Sequence, residues 1–111
     1  METSYFANIR NLDISKVISI ALYGPKWITI RTYPYLYPKW YMIEDVKKDG
    51  DTDKYRERYY NEILNRLSAE KVYKDLKDCI LLCWEKPGVF CHRRLVAEWI
   101  ESKLGTVVPE I

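Results

Sequence analysis

Six apolar residues stand in an unbroken row from Cys79 to Trp84, with Asp78 before them and Glu85 after. A bilayer span needs about 20 such residues, so the row is far too short to cross a membrane. It predicts a strand buried on both faces, which is the position of an inner strand in a parallel sheet. The strand should stop at Glu85. Lys86, Pro87 and Gly88 then supply a turn, because proline cannot donate to a ladder and glycine accepts a positive φ. From Arg93 onward Leu95, Val96, Trp99, Ile100 and Leu104 recur at three and four residues. That spacing puts one apolar stripe on a helix whose other face carries Arg94, Glu98 and Glu101. Cys91, His92 and Arg93 fall at the amino end of this helix.

The rest of the chain can be arranged around that unit. Thr3 to Ala7 alternates weakly and allows a short first strand, and Asn8 to Ser15 supplies polar turn residues. Lys16 to Leu22 is rich in β-branched residues and meets a stop at Tyr23-Gly24-Pro25, predicting a second buried strand. Trp27 to Tyr33 fits an edge strand or an ordered loop, ended by Pro34 and Pro38. Glu44 to Lys54 has no apolar run and alternates charges around Gly50, so it is expected to be a flexible surface connection. Asp51 or Thr52 can cap a helix carrying Tyr55, Tyr59, Ile63 and Leu67 on one face. Ser68 can cap a further helix with Val72, Tyr73 and Leu76 inward and Lys71, Lys74, Lys77 and Asp78 toward water. Gly105 is a stop signal, and Thr106-Val107-Val108 predicts one more short strand before Pro109.

Parallel neighbours require crossovers, so this order of elements implies an α/β fold, a small mostly parallel sheet flanked by helices in a three-layer, Rossmann-like arrangement. Residues 1–111 read as one domain, long enough to bury roughly two thirds of the unfolded surface without a disulfide or metal. The 18 basic and 16 acidic side chains nearly balance, which names no partner and argues against a basic nucleic-acid arm. Three cysteines, two of them in the buried strand, do not make a secreted disulfide framework and point to a reducing, cytoplasmic setting. Met1 to Asn11 lacks a basic start followed by an apolar run, so no targeting signal is read there and no membrane partner is expected.

Leu81-Leu82-Cys83-Trp84-Glu85 followed by Cys91-His92-Arg93 and a helix resembles the family known as domain of unknown function 488, whose hallmark is L-L-C-x-E on a strand and then C-H-R. Ser19-Ile20-Ala21, Pro25-Lys26-Trp27, Leu36-Tyr37-Pro38, Tyr55 with Tyr59, and Leu95-Val96-Ala97-Glu98-Trp99 extend the likeness over nearly the whole chain. The resemblance implies a compact three-layer α/β domain and no settled reaction. The glycine that many members carry in the first strand is missing around Thr3 to Ala7.

Open α/β sheets bind ligands at the carboxyl ends of their strands, where Tyr23, Glu85 and the Cys91-His92-Arg93 corner should meet. A cysteine at a helix amino terminus beside histidine and arginine is in an environment that favours thiolate, and free helix N–H groups bind anions. The expected ligand is therefore a nucleotide or another small phosphorylated molecule. Arg93 or Arg94 would hold phosphoryl oxygens, His92 would be acid, base or donor, and Cys91 or Cys83 the nucleophile. The competing view makes Cys83 and Cys91 small buried fillers, His92 a capping group and Arg93 the partner of Glu85. A Cys-x5-Arg phosphatase loop is absent, since Val89 and Ala97 stand where the arginine would be. Cys83, Cys91 and His92 could ligate zinc with Glu85 or water, but Cys79 lies about 13 Å from Cys83 along an extended strand and cannot help close a site. No metal and no cofactor are assigned. A Cys83–Cys91 disulfide would act as a redox switch if the sulfurs face each other.

Tyr33 to Tyr41, YPYLYPKWY, with Lys26, Arg31 and Lys39 nearby, has the composition of a stacking platform for bases, but the simpler reading is a structural lid over a small sheet. Asp49, Asp51 and Asp53 have the spacing of a calcium loop, but Lys54 and Tyr60 replace its glycine and glutamate. Three function classes stay open: an enzyme or sensor for a phosphorylated ligand at the corner, covered by the aromatic segment; a nucleic-acid-binding module using that segment; and a protein-interaction domain without ligand. Oligomeric state is not legible.

Overall fold

A computed structural model describes all residues, 1–111. The buried strand predicted near Cys79 is the inner strand β4, Ile80–Cys83, which pairs in parallel with β1, Glu2–Tyr5, on one side and β2, Val17–Ser19, on the other. A two-residue strand β3, Arg31–Thr32, adds in parallel to β2, so the order is β1-β4-β2-β3 with every strand parallel. The remainder of Trp27 to Tyr33 is loop. β2 is shorter than its apolar run, although the Ile20 amide still donates to the Leu82 carbonyl at 3.2 Å.

Side chains alternate across the sheet, and the two faces are covered differently. Leu81, Ile18 and Ile20 enter the main core with residues of all four helices: α1, Trp40–Asp49; α2, Thr52–Glu62; α3, Ala69–Leu76; and α4, His92–Leu104. Ile80, Leu82, Val17 and Ala21 face the other way and pack on Phe6, with Ile9, Leu12 and Ile30 at the margin. This outer layer is thin, because a 3-10 turn at Phe6–Asn11 stands where a crossover helix would add bulk.

Three expectations are corrected. Trp84 does not continue the buried strand: it is 47% exposed, its ring stands edge-on to Phe6, and its Nε1–H donates to the Tyr23 carbonyl at 2.7 Å. An indole N–H needs a polar partner, which a strand interior does not offer. Glu44 to Lys54 is not a flexible connection. It is the greater part of α1, the turn at Gly50-Asp51 and the start of α2, with Asp51 Oδ1 accepting from the Lys54 amide as N-cap. Met42, Ile43 and Val46 face inward from α1, and ion pairs Arg58–Asp45 and Lys54–Asp49 join the two helices. Finally, Thr106 to Val108 forms no strand. The chain returns to the edge of β1 after Pro109, where the Thr3 amide donates to the Pro109 carbonyl at 2.9 Å and the Ile111 amide to the Thr3 carbonyl at 2.8 Å. Proline can accept but not donate, so pairing resumes around it.

Gly50 closes α1 with φ +66°, a left-handed conformation that side chains resist. Gly50→Ala should therefore cost about 1 kcal/mol, read as a lower urea midpoint at unchanged slope. No helix is long and apolar enough to cross a membrane.

Candidate functional site

Cys83 is the last residue of β4 and lies on the same face as Leu81, toward the helices. The Lys86 to Gly88 turn sends the chain back, and Cys91 becomes the N-cap residue of α4 with extended backbone. Its side chain makes no capping bond. The two cysteines thereby meet, both buried, and are joined as a disulfide with their Cα atoms 7.4 Å apart. Cys79, at the other end of the strand, is free.

His92 opens α4 beneath this pair. Its Nε2–H donates to the Ile20 carbonyl at 2.7 Å, which leaves Nδ1 as the lone-pair nitrogen, 3.9 Å from Cys91 Sγ. Burial pushes its pKa down to about 4, against the Ile20 hydrogen bond and with the help of the Arg93 charge. The imidazole is neutral at neutral pH, so it can accept at Nδ1 but has no proton to give from there.

Arg93 turns away from the loop. It is fully buried, with Nε donating to Glu110 at 3.0 Å, Nη2 donating to Glu110 at 2.5 Å and Nη1 donating to Cys83 Sγ at 3.3 Å. Its partner is Glu110 and not Glu85. Arg94 donates to Thr3 Oγ1 at 2.8 Å and the Val108 carbonyl at 2.9 Å. Arg93 thus ties α4 to β4 and the returning C-terminal segment, and Arg94 ties it to β1 and that segment.

A cavity of about 580 Å³ opens at the carboxyl ends of β2 and β4, and Cys83, Cys91 and His92 are on its wall. Tyr23 and Glu85 line it too, and the Glu85 carboxylate lies 3.3 Å from Cys83 Sγ. Arg93 and Arg94 do not. Lys47 on α1 supplies the wall's one Lys or Arg side chain, while Ile43, Val46, Tyr55, Val89 and Phe90 make it largely apolar. Burial first, and then the Glu85 charge, push the Tyr55 phenol up, so it stays neutral. Of the aromatic segment 33–41 only Pro38 reaches this wall, and α1 provides the cover that the segment was expected to give. Tyr35 and Trp40 are 70% and 60% exposed and line a separate groove with Lys39 and Arg66.

Local sequence pattern does not reveal Lys47, because α1 has no capping residue or acidic first turn to mark its start, or Glu110, because nothing near Pro109 signals an ion pair with a residue on α4. The alternation of Met42, Ile43 and Val46 at helical spacing was the signal available for the first.

Fold and corner together define a class: parallel α/β domains that bring two cysteines and an imidazole to the end of an inner strand, with a buried guanidinium behind them. The chain belongs to the DUF488 family, its residues 19–104 matching DUF488-N3a, described as the active DUF488-N3 subclade. No curated protein and no solved structure gives a significant match.

Proposed function

We propose that the protein is a small cytoplasmic enzyme whose ligand, a nucleotide or another compact phosphorylated molecule, binds in the cavity at the carboxyl edge of the sheet. The observation that carries this reading is the presence of Cys83, Cys91 and His92 on one wall of a cavity of about 580 Å³, a volume that suits a small ligand. Lys47 and the amino terminus of α4, whose N-cap side chain leaves the helix amides uncapped, favour an anionic group. The apolar wall around Tyr55 and Phe90 suits a flat body. The matched subclade is described as active, which supports an enzyme over a binding module. Tyr23 and Glu85 would contact the ligand from the rim, whereas Arg93 and Arg94 would act by holding α4 in place.

A thermal-shift screen of the reduced protein against nucleotides, sugar phosphates and inorganic phosphate tests this. A ligand at a hundredfold excess over its Kd adds about 2.7 kcal/mol, a Tm rise on the order of 10 °C for a chain of this size. The rise should vanish in Lys47→Ala and in the cavity-filling Val89→Trp, and survive in Arg94→Ala. No rise with any compound overturns the reading. The exposed Tyr35 and Trp40 beside Lys39 and Arg66 support a second one, single-stranded nucleic-acid binding by stacking. Binding that weakens steeply with salt and is lost in Trp40→Ala would favour it instead.

A further inference from the structure

We propose that in the reduced protein Cys83, Cys91 and His92 hold a zinc ion, with the fourth coordination position open to the cavity. One ligand atom from each of these three buried side chains lies within 4.8 Å of the others. Tetrahedral zinc, with bonds of about 2.3 Å to sulfur and about 2.0 Å to nitrogen, needs its ligand atoms roughly 3.5–3.8 Å apart. Once the S–S bond is broken, the two sulfurs must separate by roughly 2 Å and the imidazole nitrogen must close on them by about an ångström, movements that rotation at the loop end of Cys91 can supply.

The surroundings fit a metal in three further ways. A histidine that ligates a metal usually donates its other ring N–H to a carbonyl or carboxylate, which fixes ring and tautomer. His92 does so, giving Nε2–H to Ile20 and turning Nδ1 toward the sulfurs. Second, the Cα atoms of Cys83 and Cys91 are 7.4 Å apart, beyond the roughly 4.4–6.8 Å usual for disulfides. Two thiolates that share an ion stand farther apart at sulfur, about 3.8 Å, and suit the wider spacing. Third, the cluster's own charges balance. Zn²⁺ with two thiolates and a neutral imidazole is neutral overall, the one cation behind it, Arg93, is already paired with Glu110 while donating from Nη1 to Cys83 Sγ, and the Glu85 carboxylate, 3.3 Å from Cys83 Sγ, stands beside it on the cavity wall. A neutral cluster is the form that a buried corner accepts most easily.

Loading follows a balanced sequence. A dithiol reductant gives two electrons and two protons to the Cys83–Cys91 disulfide, the S–S bond breaks, two thiols form, and the reductant leaves as its own disulfide. Zinc then displaces both thiol protons to solvent. Three protein ligands and one open position are the pattern of catalytic zinc, and structural sites are closed. The inference deepens the cavity reading and rests on it for its use, since the open position faces whatever the cavity binds.

The test uses metal alone. The full chain is reduced with a phosphine, stripped with a chelator, transferred to anaerobic buffer and titrated with Co²⁺. One equivalent should produce the visible bands of tetrahedral cobalt and a near-ultraviolet thiolate-to-cobalt charge-transfer band, both bleached by zinc. Cys83→Ser and Cys91→Ser should each weaken binding by more than the roughly 10- to 100-fold that loss of an outer-sphere partner costs, and Cys79→Ala should not. A second readout needs no variant: zinc should protect two of the three thiols of the wild type from alkylation, mapped by mass spectrometry to Cys83 and Cys91. A reduced wild type without the charge-transfer band, or a protected pair that includes Cys79, overturns the proposal. No organic ligand enters this assay, so its failure leaves the cavity reading to the thermal-shift screen, and a failed screen leaves the metal result standing.

Discussion

Replacing Arg93 with alanine is expected to lower the free energy of unfolding by about 3 kcal/mol, the low end of the cost of removing one partner from a buried ion pair, because the Glu110 side chain left behind is 20% exposed. The guanidinium is fully buried and fills its site, donating through Nε and Nη2 to Glu110 and through Nη1 to Cys83. Its loss leaves a void and a Glu110 carboxylate without its main counter-charge, next to Thr3 Oγ1, which also donates to it. Burial alone would raise the Glu110 pKa, but hydrogen bonds from Arg93 and Thr3 and the charges of Arg93 and Arg94 outweigh it and hold the carboxyl below its ordinary range. A carboxylate depressed on folding stabilises above its unfolded pKa, and that stabilisation is lost as pH falls through the folded value. The gap between wild type and Arg93→Ala should therefore be full at neutral pH and narrow in acid below the usual glutamate range. Arg93→Lys should recover little, because an ammonium cannot reproduce the two-point contact. Arg93→Met with Glu110→Leu should be closer to wild type than either single change, since removing both charges leaves neither unpaired. Guanidinium unfolding of wild type, of these variants and of the single changes Arg93→Met and Glu110→Leu decides it, and an Arg93→Ala protein as stable as wild type would mean that the pair holds nothing together.

The parts of the fold that were legible are those in which burial imposes a strong local pattern. β4 must be apolar on both faces, so its row shows as continuous, and α4 buries enough of its surface that the recurrence at three and four residues is plain from Leu95 to Leu104. α1 is different. Only Met42 is fully buried along it, Lys39 at its N-cap makes no capping bond, and no acidic residue stands in its first turn. Its start carries no signal, and its end is marked by Gly50 and Asp51, whose C-cap and N-cap roles look the same in sequence as loop chemistry. The meeting of Cys83 with Cys91 and His92 followed from strand, turn and helix in succession. The fate of Arg93 did not, because its partner sits 17 residues on, in a segment that comes back to β1 only after Gly105 and Pro109. Local pattern cannot show which side of a helix a returning tail will cover.

Acid is expected to destabilise the metal-free protein through His92 by about 3 kcal/mol, developed between pH 6.5 and pH 4. The folded imidazole, removed from water against the Tyr59 ring and bonded to Ile20, has a pKa of about 4 against an ordinary 6.5. The unfolded chain takes up a proton that the folded chain refuses throughout that window. His92 therefore costs no stability above pH 6.5, where it is neutral in both states, and its penalty grows as pH falls until it levels off below about pH 4. Protonation would require the ring to leave its pocket or Ile20 to face a charged donor among apolar neighbours. His92→Gln can still offer an N–H toward the Ile20 carbonyl and does not titrate, so its stability at neutral pH should be lower from lost packing while its slope across this window disappears. Urea midpoints at several pH values, with chelator and reductant present, measure the two slopes, and parallel curves would show that the imidazole is accessible to protons in the folded state. The same burial limits the chemistry of the corner. A ring that stays neutral at neutral pH and gives its only N–H to Ile20 cannot act as an acid toward a cavity ligand; what it offers there is the Nδ1 lone pair, to a proton from Cys91 or to a metal.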